Sequence, residues 1–260
     1  MADDPRRPLD APATAPPTRG PDRAPPAAPA DQRVMSLFDH LSELRTRIFR
    51  MLLAVAAGSA VGFYFAERAI ELLAAPAGGR LLNLAPGDAF FIYVRVAVVI
   101  GIVLAMPVIL YQAWAFVSPG LTAAERRAMR PWVPLALAFF GLGVGIAYLV
   151  LPYALGFLLS FGRGVFANEL GAAQYFNFVT TMFLAFGLVM EFPILLFGLS
   201  RVGIVTSQRL RASRRFVILG IAIFAAVATP GGDLVSPFVL GGTMYLLFEG
   251  TAFLIARGGR

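Results

Sequence analysis

The chain has 260 residues, of which 58% are hydrophobic and only 14% are charged, and its formal net charge is +7. A water-soluble domain carries about 25% charged residues, so this composition excludes an ordinary soluble protein. The absence of cysteine excludes disulfides and thiol chemistry. All 22 basic residues are arginines that cluster beside apolar runs, which indicates membrane topology and not a nucleic-acid-binding face.

The first segment, residues 1–33, is expected to be a disordered Pro/Ala-rich cytoplasmic tail. It holds nine of the 19 prolines and almost no large apolar side chains. Such a segment buries too little apolar surface to offset the entropy lost on folding. Arg6 and Arg7 are not followed by an apolar region, so we do not expect the tail to be a targeting peptide. The second predicted domain is a membrane domain over 34–260.

Six apolar runs follow the tail, and we expect each to be a transmembrane helix. A helix that spans the bilayer needs about 20 apolar residues, and the fifth run is the shortest. The runs are 48–66, 92–114, 132–152, 177–199, 216–229 and 236–256.

The arginines beside these runs predict the orientation of the helices. Fourteen lie in the N-terminal flank, the second and fourth connections and the C-terminus, and only three lie in the loops 67–91 and 153–176. The positive-inside rule then places both termini in the cytoplasm, which requires an even number of spans. The predicted fold is therefore an all-α integral membrane protein with six transmembrane helices, short fifth and sixth spans, and structured outer loops that form a cap.

An amphipathic helix is predicted over 36–50, SLFDHLSELRTRIFR, on the inner membrane surface. Glu43 lies on its polar face, where the simplest role is an i,i+4 pair with Arg47 worth about 0.2–0.5 kcal/mol. His40 is the only histidine of the chain and lacks partners for a metal site. The apolar stripe of this helix consists of Leu37, Leu41, Leu44 and Ile48.

A second stretch, 111–127, contains YQAWAFVSPGLTAAERR, in which aromatic residues mark the point where a helix leaves the bilayer. The Ser-Pro-Gly sequence ends that helix. Thr122 and Glu125 then match a capping box for the next helix, so Glu125 also has a structural explanation.

A single acid, Glu191, lies inside the apolar run 178–199. A charged residue at the centre of a membrane helix costs about 2.5–3.5 kcal/mol and is functional by default, although a helix–helix hydrogen bond is an alternative. Pro193 removes a backbone donor and is expected to bend the helix beside this acid.

Four ordered motifs together resemble the TatC family, the multispanning component of the twin-arginine protein translocase. They are HLSELRTR, AMPVILYQAWAFVSPGLTAAERR, FGLVMEFPILL, and a TP…D element before the final LLFEG, within about 34–256. The family often reads TPPD followed by Ser-Gln, whereas this chain reads TPGGDLVSP, with Gly231, Gly232 and Pro237 in this element.

The resemblance implies a receptor in the bacterial cytoplasmic (inner) membrane and not an enzyme. Its partners would be twin-arginine signal peptides of folded passengers and single-span TatA/TatB-type proteins in a multimeric complex, with export driven by the proton-motive force and no cofactor or metal. The implied signal-peptide site consists of Glu43, Glu125, Arg45, Phe116 and Leu121. Glu191 matches the family's intramembrane partner-docking acid, and Pro76 and Asp233 match outer-face structural positions.

Two other classes compete with this interpretation. An ion-coupled small-molecule transporter could use Glu191 as its proton carrier, but this would leave the cytoplasmic motifs unexplained, and the chain shows no inverted repeat. An intramembrane enzyme would need a nucleophile–base pair or metal ligands, for which the sequence offers little.

Overall fold

The computed structural model describes residues 37–78, 81–161, 169–201, 207–229 and 233–257. The disordered tail predicted for residues 1–33 lies outside this range. The packing reported below lies within Leu41–Arg260, the larger of two units into which the chain divides.

The described part of the chain consists of helices and one very small sheet. In chain order the elements are α1 (Leu37–Ala74), β1 (Leu81–Leu82), α2 (Asp88–Val117), α3 (Ala123–Met129), α4 (Trp132–Leu158), β2 (Leu170–Gly171), α5 (Ala172–Val189), α6 (Phe192–Arg201), α7 (Ser207–Ala212), α8 (Arg214–Ala228) and α9 (Val235–Arg257).

Five helical segments of the described residues are long and apolar enough to cross a membrane. They contain five of the six apolar runs, and the run 177–199 covers both α5 and α6. The remaining run, 216–229, forms α8, whose 15 residues are fewer than the roughly 20 that span a bilayer. The last apolar run, 236–256, forms α9, which has 23 residues, so the prediction that the sixth span is short is wrong.

Contacts between helix ends show that α1 and α2, α4 and α6, and α8 and α9 run in opposite directions. At one end, three side-chain pairs join the start of one helix to the end of another: Arg47 with Gln112, Trp132 with Phe197, and Arg214 with Glu249.

At the opposite end, the two connections that precede α2 and α5 meet. β1 and β2 pair in parallel, with Leu81 opposite Leu170. The Tyr175 hydroxyl donates a hydrogen bond to the carbonyl oxygen of Leu73 over 2.5 Å, which ties the start of α5 to the end of α1. The connections predicted to be structured therefore contain regular elements that join them to each other.

The core forms where α4, α5 and α9 pack together, and most of its side chains are aromatic or aliphatic. Phe176, Phe186, Phe248 and Leu151 are among its fully buried side chains. Burial of each such side chain favours the folded state in water, but between lipid-embedded helices close van der Waals packing takes over that role.

Glycines allow α1 to approach α2 closely. A Cβ atom added at Gly58 would lie 2.6 Å from the carbonyl oxygen of Gly101, and one added at Gly101 would lie 2.5 Å from the backbone nitrogen of Ser59. Because real Cβ atoms essentially never come this close, the two backbones can meet here only because positions 58 and 101 carry no Cβ.

Candidate functional site

The predicted pair between Glu43 and Arg47 is confirmed. Arg47 donates through Nε to Oε1 of Glu43 over 2.9 Å and through Nη2 to the same oxygen. Its Nη1 donates to Oε1 of Gln112 on α2 over 3.2 Å. The side chains of Arg47 and Glu43 are only 14% and 20% exposed, so this network is largely shielded from water.

The second carboxylate oxygen of Glu43 has no hydrogen-bond partner among the described residues, although it is buried. A buried acceptor without a partner costs about 1–3 kcal/mol, and more when it is charged. An incoming N–H donor, above all a guanidinium, would recover that free energy through a charge-assisted bond. Glu43 is therefore held in place through one oxygen and able to accept a ligand through the other.

Gln112 is the third member of this network. It was not among the site residues predicted from the sequence. It is 8% exposed within the apolar run 92–114. An isolated amide side chain in an apolar helix could have indicated a buried polar contact. Its partner, however, lies 65 residues earlier in the chain, so the sequence alone did not identify the contact.

The predicted capping box is also confirmed, at the start of α3. The backbone N–H of Glu125 donates to the Thr122 hydroxyl over 3.3 Å, and the backbone N–H of Thr122 donates to Oε2 of Glu125 over 3.1 Å. Arg126 closes the turn before this helix by donating from Nε and Nη2 to the carbonyl oxygen of Ser118, over 3.2 and 3.0 Å.

Both groups of contacts depend on the same end of α2. Gln112 lies five residues before the last residue of α2, and Ser118 follows that residue directly. Six residues of helix correspond to about 9 Å along its axis. Of the other predicted site residues, Arg45 is exposed, Phe116 is half-buried, and Leu121, directly after the turn, is buried.

Glu191 lies at an interruption of the fourth apolar run, as the adjacent proline predicts. α5 ends at Val189 and α6 begins at Phe192. The carbonyl oxygen of Glu191 accepts from the N–H groups of Ile194 and Leu195, each over 3.1 Å, and so starts the second helix. Its Oε1 atom is buried and has no hydrogen-bond partner among the described residues.

Pro76 and Asp233, the two residues predicted for the outer face, each lie next to the end of a helix. Pro76 is half-buried in a 3-10 turn, Ala75–Ala77, that follows α1. Asp233 is 3% exposed, and its Oδ1 accepts the backbone N–H of Ser236 over 2.6 Å. This bond satisfies a donor in the first turn of α9, as an N-terminal cap does.

The sequence and fold are similar to those of known proteins. Residues 39–242 match the family described as Sec-independent protein translocase protein (TatC). The Sec-independent protein translocase protein TatC of Synechocystis sp. is 41% identical over 222 residues, which cover 85% of this chain and 87% of that protein. The Aquifex aeolicus TatC is 34% identical over 228 residues, covering 85% and 94%.

A chloroplast protein and a crystal structure show the same similarity. The chloroplastic TATC of Arabidopsis thaliana is 39% identical over 88% of this chain and 69% of its own length. A crystal structure described as the twin arginine translocase receptor TatC superposes with a TM-score of 0.75 at 34% identity, covering 85% of this chain and all of that one. The chain therefore belongs to the TatC family and is a membrane protein of the Sec-independent protein translocase.

Proposed function

We propose that this chain is the receptor for twin-arginine signal peptides and the core subunit of a translocase that exports folded proteins. The buried and unpartnered Oε2 of Glu43 is the observation that carries the proposal. A site for paired guanidinium groups needs carboxylates in partly dehydrated surroundings, because charge-assisted bonds gain most where water is excluded. The description of the similar crystal structure as a receptor supports the same conclusion.

In this proposal the two arginines of the signal peptide bind different acids. Glu43 accepts one guanidinium through Oε2, while Arg47 and Gln112 keep its other oxygen in place. Glu125 contributes the second carboxylate at the start of α3, where the helix cap fixes its direction. Arg45, Phe116 and Leu121 shape the surrounding surface.

The proposed topology has six spans, with both termini in the cytoplasm of a bacterium. The end of the bundle that contains Arg47 and Gln112 is then cytoplasmic, and the paired strands β1 and β2 belong to an outer cap. The distribution of arginines along the chain supports this orientation. α8 is the fifth span in spite of its length.

Glu191 is proposed to offer a polar contact to single-span TatA/TatB-type partners in a multimeric complex powered by the proton-motive force. Its buried Oε1 atom and the broken helix around it supply an acceptor that the described residues leave unused. A donor on a partner helix would remove the cost of that unpaired group.

The test is binding of a labelled twin-arginine signal peptide to the purified protein. We expect Glu43→Gln to weaken binding roughly 10- to 100-fold, because a hydrogen bond to a charged group contributes about 1.5–3 kcal/mol. Glu67→Gln is the matched control, since Glu67 is exposed on the same helix about 36 Å further along. A twin-lysine peptide should bind more weakly than the twin-arginine peptide.

Two variants separate the capping role of Glu125 from a binding role. Glutamine also serves at the third position of a capping box, so Glu125→Gln removes the charge and keeps the cap. Thr122→Ala weakens the cap and keeps the carboxylate. The receptor proposal requires Glu125→Gln to be the more damaging variant for peptide binding, and the reverse order would leave Glu125 as a cap alone. Equal binding by wild type and Glu43→Gln would overturn the proposal.

A further inference from the structure

A cavity of about 280 Å³ lies between the first turns of α2 and α5, at the end of the bundle opposite Arg47. It combines charged, amide and apolar side chains, which is unusual within an apolar helix pair. The residues that line it are Asp88, Phe91, Ile92, Arg95, Ala173, Gln174 and Asn177.

Arg95 is the principal cation of this cavity. It lies inside a membrane-spanning helix, and its Nη1 donates to Oδ1 of Asn177 over 2.5 Å. Among the residues that the structure describes, no carboxylate forms an ion pair with it. An amide oxygen accepts a hydrogen bond but does not neutralise the charge, so the guanidinium keeps its charge and several free N–H donors.

Arg95 lies near one end of the apolar run 92–114, three residues or about 4.5 Å from the start of that run. It lies seven residues after Asp88, the first residue of α2, which corresponds to about 10 Å along the axis. Arginine side chains at this depth extend toward the membrane surface, where lipid phosphates lie. Because Arg95 is exposed on the bundle surface, its guanidinium is accessible to lipid.

Asp88 adds selectivity to this cavity. Its Oδ2 accepts the backbone N–H groups of Leu84 and Ala85 over 3.1 and 2.9 Å, which fixes the carboxylate at the mouth of the cavity. Two helical turns separate it from Arg95, so both residues share one face of α2, with the acid nearer the membrane surface. A phospholipid headgroup carries a negative phosphate closer to the membrane interior and a positive ammonium group closer to the surface. Its charges would therefore oppose those of Arg95 and Asp88.

We propose that this cavity binds the headgroup of a zwitterionic aminophospholipid, with the phosphodiester on Arg95 and the ammonium group on Asp88. Arg95 accounts for affinity, because a guanidinium donates paired hydrogen bonds to phosphate oxygens. Asp88 accounts for the preference over anionic lipids, since it repels additional negative charge. This site is separate from the end of the bundle that contains Glu43 and does not depend on the proposed receptor function.

The test is native mass spectrometry of the full chain in detergent, with dioleoyl phosphatidylethanolamine, dioleoyl phosphatidylglycerol or inorganic phosphate added. Wild type is expected to retain one phosphatidylethanolamine, and Arg95→Gln to bind it at least about 10-fold more weakly. Arg68→Gln is the matched control, because Arg68 is 90% exposed and lies outside this cavity. Asp88→Asn should reduce the preference for phosphatidylethanolamine over phosphatidylglycerol.

A further variant keeps the proposal testable if Arg95→Gln does not fold. Asn177→Ala removes the protein partner of the guanidinium and keeps its charge, so it should still bind phosphatidylethanolamine. Loss of lipid binding in Asn177→Ala, or undiminished binding in a folded Arg95→Gln, would overturn the proposal. Tighter binding of phosphatidylglycerol would refute the headgroup assignment, and equal binding of inorganic phosphate would assign the site to free phosphate instead.

Discussion

The close approach of α1 and α2 makes a quantitative prediction about glycine. An alanine Cβ at position 101 would lie 2.5 Å from the backbone nitrogen of Ser59, whereas ordinary contacts begin at 3.4 Å. The helices must therefore separate by about 0.9 Å, and the obstacle is backbone that cannot rotate away. Overpacking of this kind costs about 1–3 kcal/mol.

Gly141→Ala is the matched control for Gly101→Ala. Gly141 also lies within a long helix, but a Cβ atom there would meet nothing within 4 Å. Replacing glycine by alanine in a helix favours folding by about 1 kcal/mol, and both variants share that gain. The difference between the two variants therefore isolates the contact between α1 and α2.

The assay is thermal unfolding of both variants in the same detergent. A loss of 1 kcal/mol lowers the Tm of a chain of this size by about 2–4 °C, so Gly101→Ala should unfold about 2–12 °C below Gly141→Ala. If Gly101→Ala unfolded at the same temperature as Gly141→Ala or above it, the two helices would not be in backbone contact, and the reasoning would be refuted.

Three further predictions concern single side chains. Tyr175→Phe should lower the free energy of unfolding by about 0.5–1.5 kcal/mol, seen as a lower Tm, because the carbonyl oxygen of Leu73 loses its donor. Asp233→Ala should cost about 0.5–2 kcal/mol by removing the cap of α9, while Asp233→Asn keeps an acceptor there; equal Tm values for these two variants would contradict the capping role. Glu191→Gln should leave signal-peptide binding unchanged and reduce co-purification of single-span partners, and unchanged co-purification would exclude the docking role.

The features that could be predicted from the sequence are those that depend on neighbouring residues. Thr122 and Glu125 of the capping box are three positions apart, and Glu43 and Arg47 are four positions apart, so both pairs can be predicted from spacing alone. The helix interruption at Pro193 follows from a missing backbone donor in the same way.

Features that depend on distant parts of the chain could not be predicted. Gln112 and Arg95 each contact a residue more than 60 positions away, and nothing in their local sequence identifies that partner. The pairing of Leu81 with Leu170 has the same origin, because two strands of two residues carry no periodic pattern. Such contacts depend on how the long helices pack, which local sequence does not specify.

The length of α8 has a consequence for the surrounding lipid. Its 15 residues extend about 22 Å, while the hydrocarbon core of a bilayer is about 30 Å thick. Ile221 and Ala225 are buried within the protein, whereas Phe216 and Val227, near the two ends of the helix, are exposed, so one face of α8 is not covered by the described residues. If α8 is the fifth span, as proposed above, the bilayer must thin by about 8 Å along this face, and higher stability in lipids with shorter acyl chains would reveal the mismatch. In the proposed translocase, a polar passenger beside α8 would then meet a thinner hydrocarbon barrier than beside the longer helices.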